Sequence, residues 1–274
     1  MASSQRTDVV LLTVTLALVA AGLVMVYSTS AVLAHERYGD SLYFLRRQLI
    51  WAGLGLLAML AARYFPYRGQ RRLTMPMVVC TLVLLVMVLL PPFGRQVGGA
   101  RRWLHLGPLT VQPSEVAKYV LLLAIARTLE KNQERLKSFA HGYLPNVVLV
   151  GAFAGLVFAE PDLGTAVVLT TTACLLLLVA GIPVRYLGLT ALAGVPFLYW
   201  GLIHVRFRWE RLLSFWNPWA APQGSGYQPI QSLVALGQGG WFGVGLGHSQ
   251  QKLFYLPEAH TDFIFAVIGE EFGF

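Results

Sequence analysis

The chain has 274 residues, of which 56% are hydrophobic and 12% charged, and its mean hydropathy is +0.59. Soluble domains carry about 25% charged residues. Half that charge excludes a disordered protein, a coiled coil and a solvated nucleic-acid binder, and points to a polytopic membrane protein. Even so, 21 Lys and Arg against 13 Asp and Glu leave a net charge of +8, so the position of the surplus carries information.

A membrane helix needs about 20 apolar residues to cross ~30 Å of hydrocarbon. Val9 to Val26 is free of charge, and its length argues for a retained first span rather than a cleaved signal. The second span is expected from about Arg46 to Tyr64, with Arg47 and Arg63 snorkelling at its ends. Met75 to Leu90 is the third, stopped by Pro91-Pro92. The fourth is irregular and begins near Pro113. Tyr143–Ala159, Leu163–Ile182 and Tyr186–Val205 are the fifth to seventh. A long loop of about 206–262 then leads to a new apolar start at Asp262-Phe263-Ile264-Phe265. The chain stops at Phe274, about halfway across, which reads as a truncated eighth span of a longer protein. The expected fold is an all-α polytopic bundle of seven full spans plus that eighth, taken as a single domain over 1–274.

Short loops rich in Lys and Arg face the cytoplasm. An inside N-terminus leaves Arg37, Arg46, Arg47, Arg95, Arg101, Arg102, Arg206, Arg208, Arg211 and Lys252 outside, ten cations against ten inside. Discounting the four in the long last loop leaves six, which favours a cytoplasmic N-terminus. The outer face still holds more cations than topology requires, either for an anionic ligand or for lipid headgroups. Cys80 and Cys174 lie inside apolar runs and read as packing residues, and the six His show no metal-binding spacing.

Ionisable groups at span edges are functional candidates. In Gln112-Pro113-Ser114-Glu115-Val116-Ala117-Lys118, Pro113 fits the first position of a helix, and Glu115 and Lys118 share a face. They form either an internal ion pair or the wall of a polar cavity. In Gly98-Gly99-Ala100-Arg101-Arg102-Trp103, adjacent arginines suit either phosphate contact or an interfacial anchor. In Glu160-Pro161-Asp162-Leu163-Gly164, the two acids either ligate Mg²⁺ or Mn²⁺ or form a charged turn in which Asp162 caps the next helix. In Leu256-Pro257-Glu258-Ala259-His260-Thr261-Asp262, Asp262 is either a helix cap or a partly desolvated carboxylate suited to general-base work.

Within the last loop, Phe207 to Trp216 is basic, aromatic and amphipathic, and is expected to lie in the interface plane against membrane lipid. Six glycines between Gly237 and Gly247 match no phosphate-binding loop and suit close packing or re-entrant backbone.

Five segments carry a family resemblance: MVYSTSA (25–31), GARRWLHLGPLTVQPSEVAK (99–118), AEPDLGTA (159–166), NPWAAPQGSGYQPIQSLVALGQGGWFGVGLG (217–247) and QKLFYLPEAHTDFIFAVIGEE (251–271). The sequence resembles the bacterial SEDS proteins (shape, elongation, division and sporulation), and within them the FtsW division branch; its last four residues lean towards the RodA branch. The resemblance implies ten spans in the whole family fold. It implies a peptidoglycan glycosyltransferase in the cytoplasmic membrane of the division septum, working on lipid II with inversion at the anomeric centre. Undecaprenyl pyrophosphate is the leaving group. On the family pattern Asp262 is the essential acid, best read as the base on the acceptor 4-hydroxyl. Glu115, Lys118 and Asp162 match polar residues of the family's central cavity, and Lys252, Glu258, His260 and Thr261 fall in its most specific segment. Arg101, Arg102, Arg206 and Arg208 are expected to meet the pyrophosphate, because its negative charge grows in the transition state. Mg²⁺ or Mn²⁺ on Glu160, Asp162 and Asp262 is an added expectation. The implied partners are a class B penicillin-binding transpeptidase and other divisome membrane proteins, and no nucleic acid. A lipid II flippase, with Glu270 and Glu271 inside the eighth helix, and a non-catalytic scaffold are the rivals.

Overall fold

The computed structural model describes residues 8–64, 67–97, 100–106 and 109–274. Gly98 and Gly99, and the side chain of Arg206, lie outside the described residues. The described chain is helical apart from one small sheet, and it divides into two compact units.

The first unit joins residues 1–64 to residues 206–274. Helix α1 (Val9–Tyr38) opens on Asp8, whose side chain accepts the Leu11 amide at 3.0 Å. It ends on Gly39, whose left-handed φ of +70° lets its N–H reach the His35 carbonyl. It therefore runs a further 12 residues beyond the apolar stretch that ends at Val26. Helix α2 spans Tyr43–Tyr64. The remaining helices of this unit come from the last 69 residues, and its small core gathers Met25, Ala235, Leu256, Ala259, Ala266 and Val267.

The second unit holds residues 65–205. Helix α3 (Tyr67–Leu89) is followed by a three-stranded antiparallel meander, β1 (Gly94–Val97), β2 (Ala100–Leu106) and β3 (Leu109–Val111). This sheet lies between the third expected span, ending at Leu90, and the fourth, beginning near Pro113, where the sequence predicts no strand. Its short strands carry almost no alternation strong enough to separate them from loop. Helix α4 (Pro113–Lys131) does begin with Pro at its first position. Helices α5 (Leu144–Ala159), α6 (Leu163–Val179) and α7 (Val184–Ile203) follow. Val120, Leu121, Ile125, Phe153, Val157 and Leu177 of α4, α5 and α6 are essentially inaccessible and form the core.

Seven helices thus fall where seven spans are expected. Among the described residues, five helical segments are long and apolar enough to cross a membrane: Val9–Tyr38, Tyr43–Tyr64, Gly69–Leu89, Phe139–Ala159 and Val184–Ile203. Helix α6 has 17 residues, and α4 carries Glu115, Lys118, Arg127, Glu130 and Lys131.

In the first unit the chain continues as α8 (Arg206–Trp216) and α9 (Tyr227–Gly239). An irregular turn, Gln251–Tyr255, precedes the last helix, α10 (Ile264–Phe272). On α8, Phe207, Trp209, Phe215 and Trp216 are exposed, as an interfacial helix requires.

The glycine-rich stretch after α9 packs backbone on backbone against α10. Val244 N–H donates to the Glu270 carbonyl at 2.9 Å and Gly245 N–H to the Glu271 carbonyl at 3.0 Å. A Cβ on Gly239 would come within 2.0 Å of the Gly269 oxygen. One on Gly243, which has φ +75°, would come within 2.2 Å of the Glu271 oxygen. Gly243→Ala should therefore lower stability by about 1–3 kcal/mol. Gly237→Ala, in the interior of α9 with open space around it, should be neutral or slightly stabilising. Thermal melts of the two variants in detergent compare them directly, and equal melting temperatures would contradict the close packing.

Candidate functional site

The residues singled out in the sequence fall into two groups, one in each compact unit.

In the second unit the α5–α6 turn is the focus. Asp162 is the N-cap of α6: its Oδ1 accepts the Thr165 amide at 3.2 Å and its Oδ2 the Thr165 hydroxyl at 2.9 Å. Gln112, the residue preceding α4, donates from Nε2 to Asp162 Oδ2 at 3.4 Å. Arg102 reaches over from β2. Its Nε donates to the Glu160 carbonyl at 3.3 Å, its Nη2 donates to the Pro161 carbonyl, and its Nη1 stands 3.9 Å from Asp162 Oδ2. Both oxygens of the fully buried Glu160 carboxyl lack a hydrogen-bond partner. Burial pushes this carboxyl up to about 8; the neighbouring Asp162 charge adds to the rise and Arg102 opposes it.

This geometry revises two expectations. The β1–β2 register shifts here, with Arg95 opposite Trp103 and Gln96 opposite Arg101, so Arg102 is the bulged residue of β2. Turned onto the α5–α6 turn, Arg102 is not available to fork with Arg101 onto one phosphate. Arg102 is committed to protein carbonyls, and both arginines are half-exposed. The Glu160/Asp162 donor set also fits Mg²⁺ or Mn²⁺ poorly. Asp162 already accepts three hydrogen bonds, and the turn's carbonyls face a guanidinium that would repel a cation. Among the described residues no group of three or more His, Cys, Asp or Glu is placed to hold a metal.

Glu115 and Lys118 pair at 2.8 Å on α4, with side chains 57% and 38% exposed. A pair this open to solvent contributes ~0–1 kcal/mol.

In the first unit, Asp262 sits on a tight turn. The Glu258 carbonyl accepts the amides of Thr261 at 3.1 Å and Phe263 at 3.2 Å, and Glu258 Oε2 accepts the Thr261 hydroxyl at 2.9 Å. The His260 ring packs on Phe44 of α2 with centroids 5.1 Å apart, and Leu256 and Ala259 are buried. Glu258, His260 and Thr261 thus hold the turn, and Asp262 is exposed on it. Asp262 is not the cap of α10: Phe263 occupies that position, without a side-chain cap bond. Nor is it desolvated by its own unit.

Arg208 is half-buried on α8. Lys252 is not an open cation on the loop. Its Nζ donates to Glu271 Oε1 at 2.7 Å and to Ser28 Oγ at 3.1 Å, and the two charged side chains are 6% and 0% exposed. Ser28 Oγ in turn donates to the Glu271 carboxylate at 2.8–2.9 Å. Ser28, Gln112 and Thr165 lie within segments that stand out in the sequence but are not among the expected site residues. For Ser28 the segment MVYSTSA is the signal, and it cannot name a partner 243 residues away.

Long apolar helices joined by turns that gather the few charged groups define a polytopic α-helical membrane protein. Residues 8–274 match the FtsW/RodA/SpoVE family model, described as cell cycle protein, and the chain belongs to that family. It is 42% identical over 267 residues to a probable peptidoglycan glycosyltransferase FtsW of Trichlorobacter lovleyi, covering 97% of this chain and 70% of the relative. It is 41% identical to stage V sporulation protein E of Bacillus subtilis, covering 97% and 73%. Among solved structures it is similar to a chain from a peptidoglycan synthase complex that coordinates polymerization and crosslinking, with TM-score 0.66 and 32% identity over 92% of this chain and 70% of that one. It is also similar to a mutant of the rod shape determining protein RodA of Thermus thermophilus, with TM-score 0.58 and 27% identity over 94% and 66%.

A proton held by Glu160 in the folded state is lost on unfolding once pH exceeds the ordinary value of 4.5. Stability should therefore fall as pH rises from 4.5 to about 8. Glu160→Gln, neutral throughout, should remove that slope. Its melting temperature should match wild type in acid and exceed it in alkali; a constant difference across the range would contradict the assignment.

Proposed function

We propose that this protein is a peptidoglycan glycosyltransferase that polymerises lipid II at the division septum. The observation that carries this reading is the match of 97–98% of the chain, at 41–43% identity, to relatives named as FtsW glycosyltransferases. Asp262 adds the chemistry: an exposed carboxylate on a turn held by Glu258, Thr261 and His260.

In the reaction, the acceptor 4-hydroxyl oxygen forms a bond to the anomeric carbon of the donor sugar. The bond from that carbon to the pyrophosphate oxygen breaks on the opposite side, which inverts the centre. Asp262 takes the hydroxyl proton, and the electron pair leaves with undecaprenyl pyrophosphate. With Arg102 committed to the α5–α6 turn, Arg101 is the residue of the arginine pair assigned to the leaving-group charge. Arg206 and Arg208 of α8, Glu115 and Lys118 serve the same lipid-linked substrate. The N-terminus is cytoplasmic, the reaction faces outward in the cytoplasmic membrane, and a class B penicillin-binding transpeptidase in the divisome crosslinks the product.

With the transpeptidase partner and lipid II in detergent, wild type should form glycan polymer and Asp262→Asn should not. Translocation of lipid II in liposomes without polymer in detergent would overturn the reading in favour of a flippase. Arg101→Ala should weaken lipid II binding more than binding of a pyrophosphate-free analogue, whereas Arg102→Ala should chiefly lower the melting temperature. Equal losses of both ligands in Arg101→Ala would remove that residue from the site.

A further inference from the structure

The two consecutive acids of α10 are each about 1% exposed, and each grips a different point of the segment entering the Asp262 turn. Glu270 accepts the Ser249 hydroxyl on Oε2 and the Gln250 amide, at 2.9 Å, on Oε1. Glu271 accepts the Lys252 ammonium at 2.7 Å and the Ser28 hydroxyl of α1. Their carbonyls hold Val244 and Gly245. Residues 249–252 and 270–271 are therefore tied together by side chains, and the stretch between them, with Asp262 at its far part, forms a loop closed at its base.

Stability alone does not explain this choice. Burying a carboxylate and an ammonium costs several kcal/mol of solvation per ion, and apolar residues of similar volume commonly fill such a site as well. What charged hydrogen bonds add is direction and a fixed distance. The grip also bypasses the irregular backbone of Gln251–Tyr255, where Phe254 has φ +68° and no regular ladder fixes the chain.

We propose that Glu270 and Glu271, through Ser249, Lys252 and Ser28, are positioning residues that set the place of the Asp262 turn for reaction. They touch no reacting atom. The inference rests on Asp262 acting as the base.

The test uses the full chain in detergent with Glu271→Gln, Lys252→Met and the double variant, measuring melting temperature, amide exchange at 256–262, and kcat and KM for lipid II polymerisation. Each single variant strands one buried charged group and should melt lower. The double variant leaves no unpaired charge and should regain most of the melting temperature. In all three, exchange at 256–262 should quicken, and kcat should fall about 10- to 100-fold with KM within about twofold. Lys252→Arg, which keeps the ion pair, should restore most of kcat. Recovery of kcat together with melting temperature in the double variant would overturn the proposal, leaving a stability element only. Unchanged exchange at 256–262 in the single variants would overturn it as well. A wild-type chain that makes no polymer, while exchange still quickens in the variants, would instead defeat the glycosyltransferase reading and leave the mechanical tie standing.

Discussion

The first compact unit depends on two buried carboxylates. Glu270 and Glu271 are removed from water in a chain that otherwise keeps few charges, and each must find donors or be expelled. The donors come from Ser249, Gln250, Lys252 and Ser28. Satisfying them draws the stretch after α9, the irregular turn and α1 around one end of α10. The glycines at 239 and 243 follow from the same demand, because backbone can approach the Gly269–Glu271 carbonyls so closely only where no Cβ intervenes. The unit is thus organised by polar satisfaction at least as much as by its apolar core of Met25, Ala235, Leu256 and their neighbours.

The second unit follows a different logic at its α5–α6 turn. Asp162 is fully engaged as a helix cap, Arg102 closes the turn from outside, and Glu160 is left enclosed with no protein donor. Such a carboxyl keeps its proton at neutral pH, so the Glu160/Asp162 pair that reads as two charges in sequence amounts to one in the fold. The same guanidinium that closes the turn separates the roles of two neighbouring arginines. Arg102 belongs to the protein, which leaves Arg101 as the one proposed for the leaving group.

Much of the helical architecture was legible, because apolar runs of span length have few alternative structures. The seven long helices, Pro113 at the start of α4 and the capping role of Asp162 all follow from local chemistry. The short β1–β3 meander was not legible, since strands of three to seven residues leave too little periodicity to read. Asp262 was found through the family segments, but its reading as a helix cap failed: α10 starts one residue beyond Phe263. Lys252 was misjudged for a general reason. Sequence counts charges one at a time, and the partner that neutralises this one lies 19 residues on, in a helix that reads as apolar. The link from Ser28 to Glu271 was further still from view, being set by tertiary packing alone.

The first unit joins residues 1–64 to residues 206–274, with residues 65–205 between them. Ribosomes add about 5–20 residues each second. Helices α1 and α2 therefore enter the bilayer at least several seconds before α10 exists, and Ser28 waits that long for its carboxylate. It can wait cheaply, as a hydroxyl in a lipid-embedded helix bonds back to its own turn, as Thr29 and Ser30 do here. Lys252 and Glu271 could not wait in that way, and they emerge only 19 residues apart. The order of synthesis thus delivers the costly charges late and together, after the neutral hydroxyl that receives them is already in place.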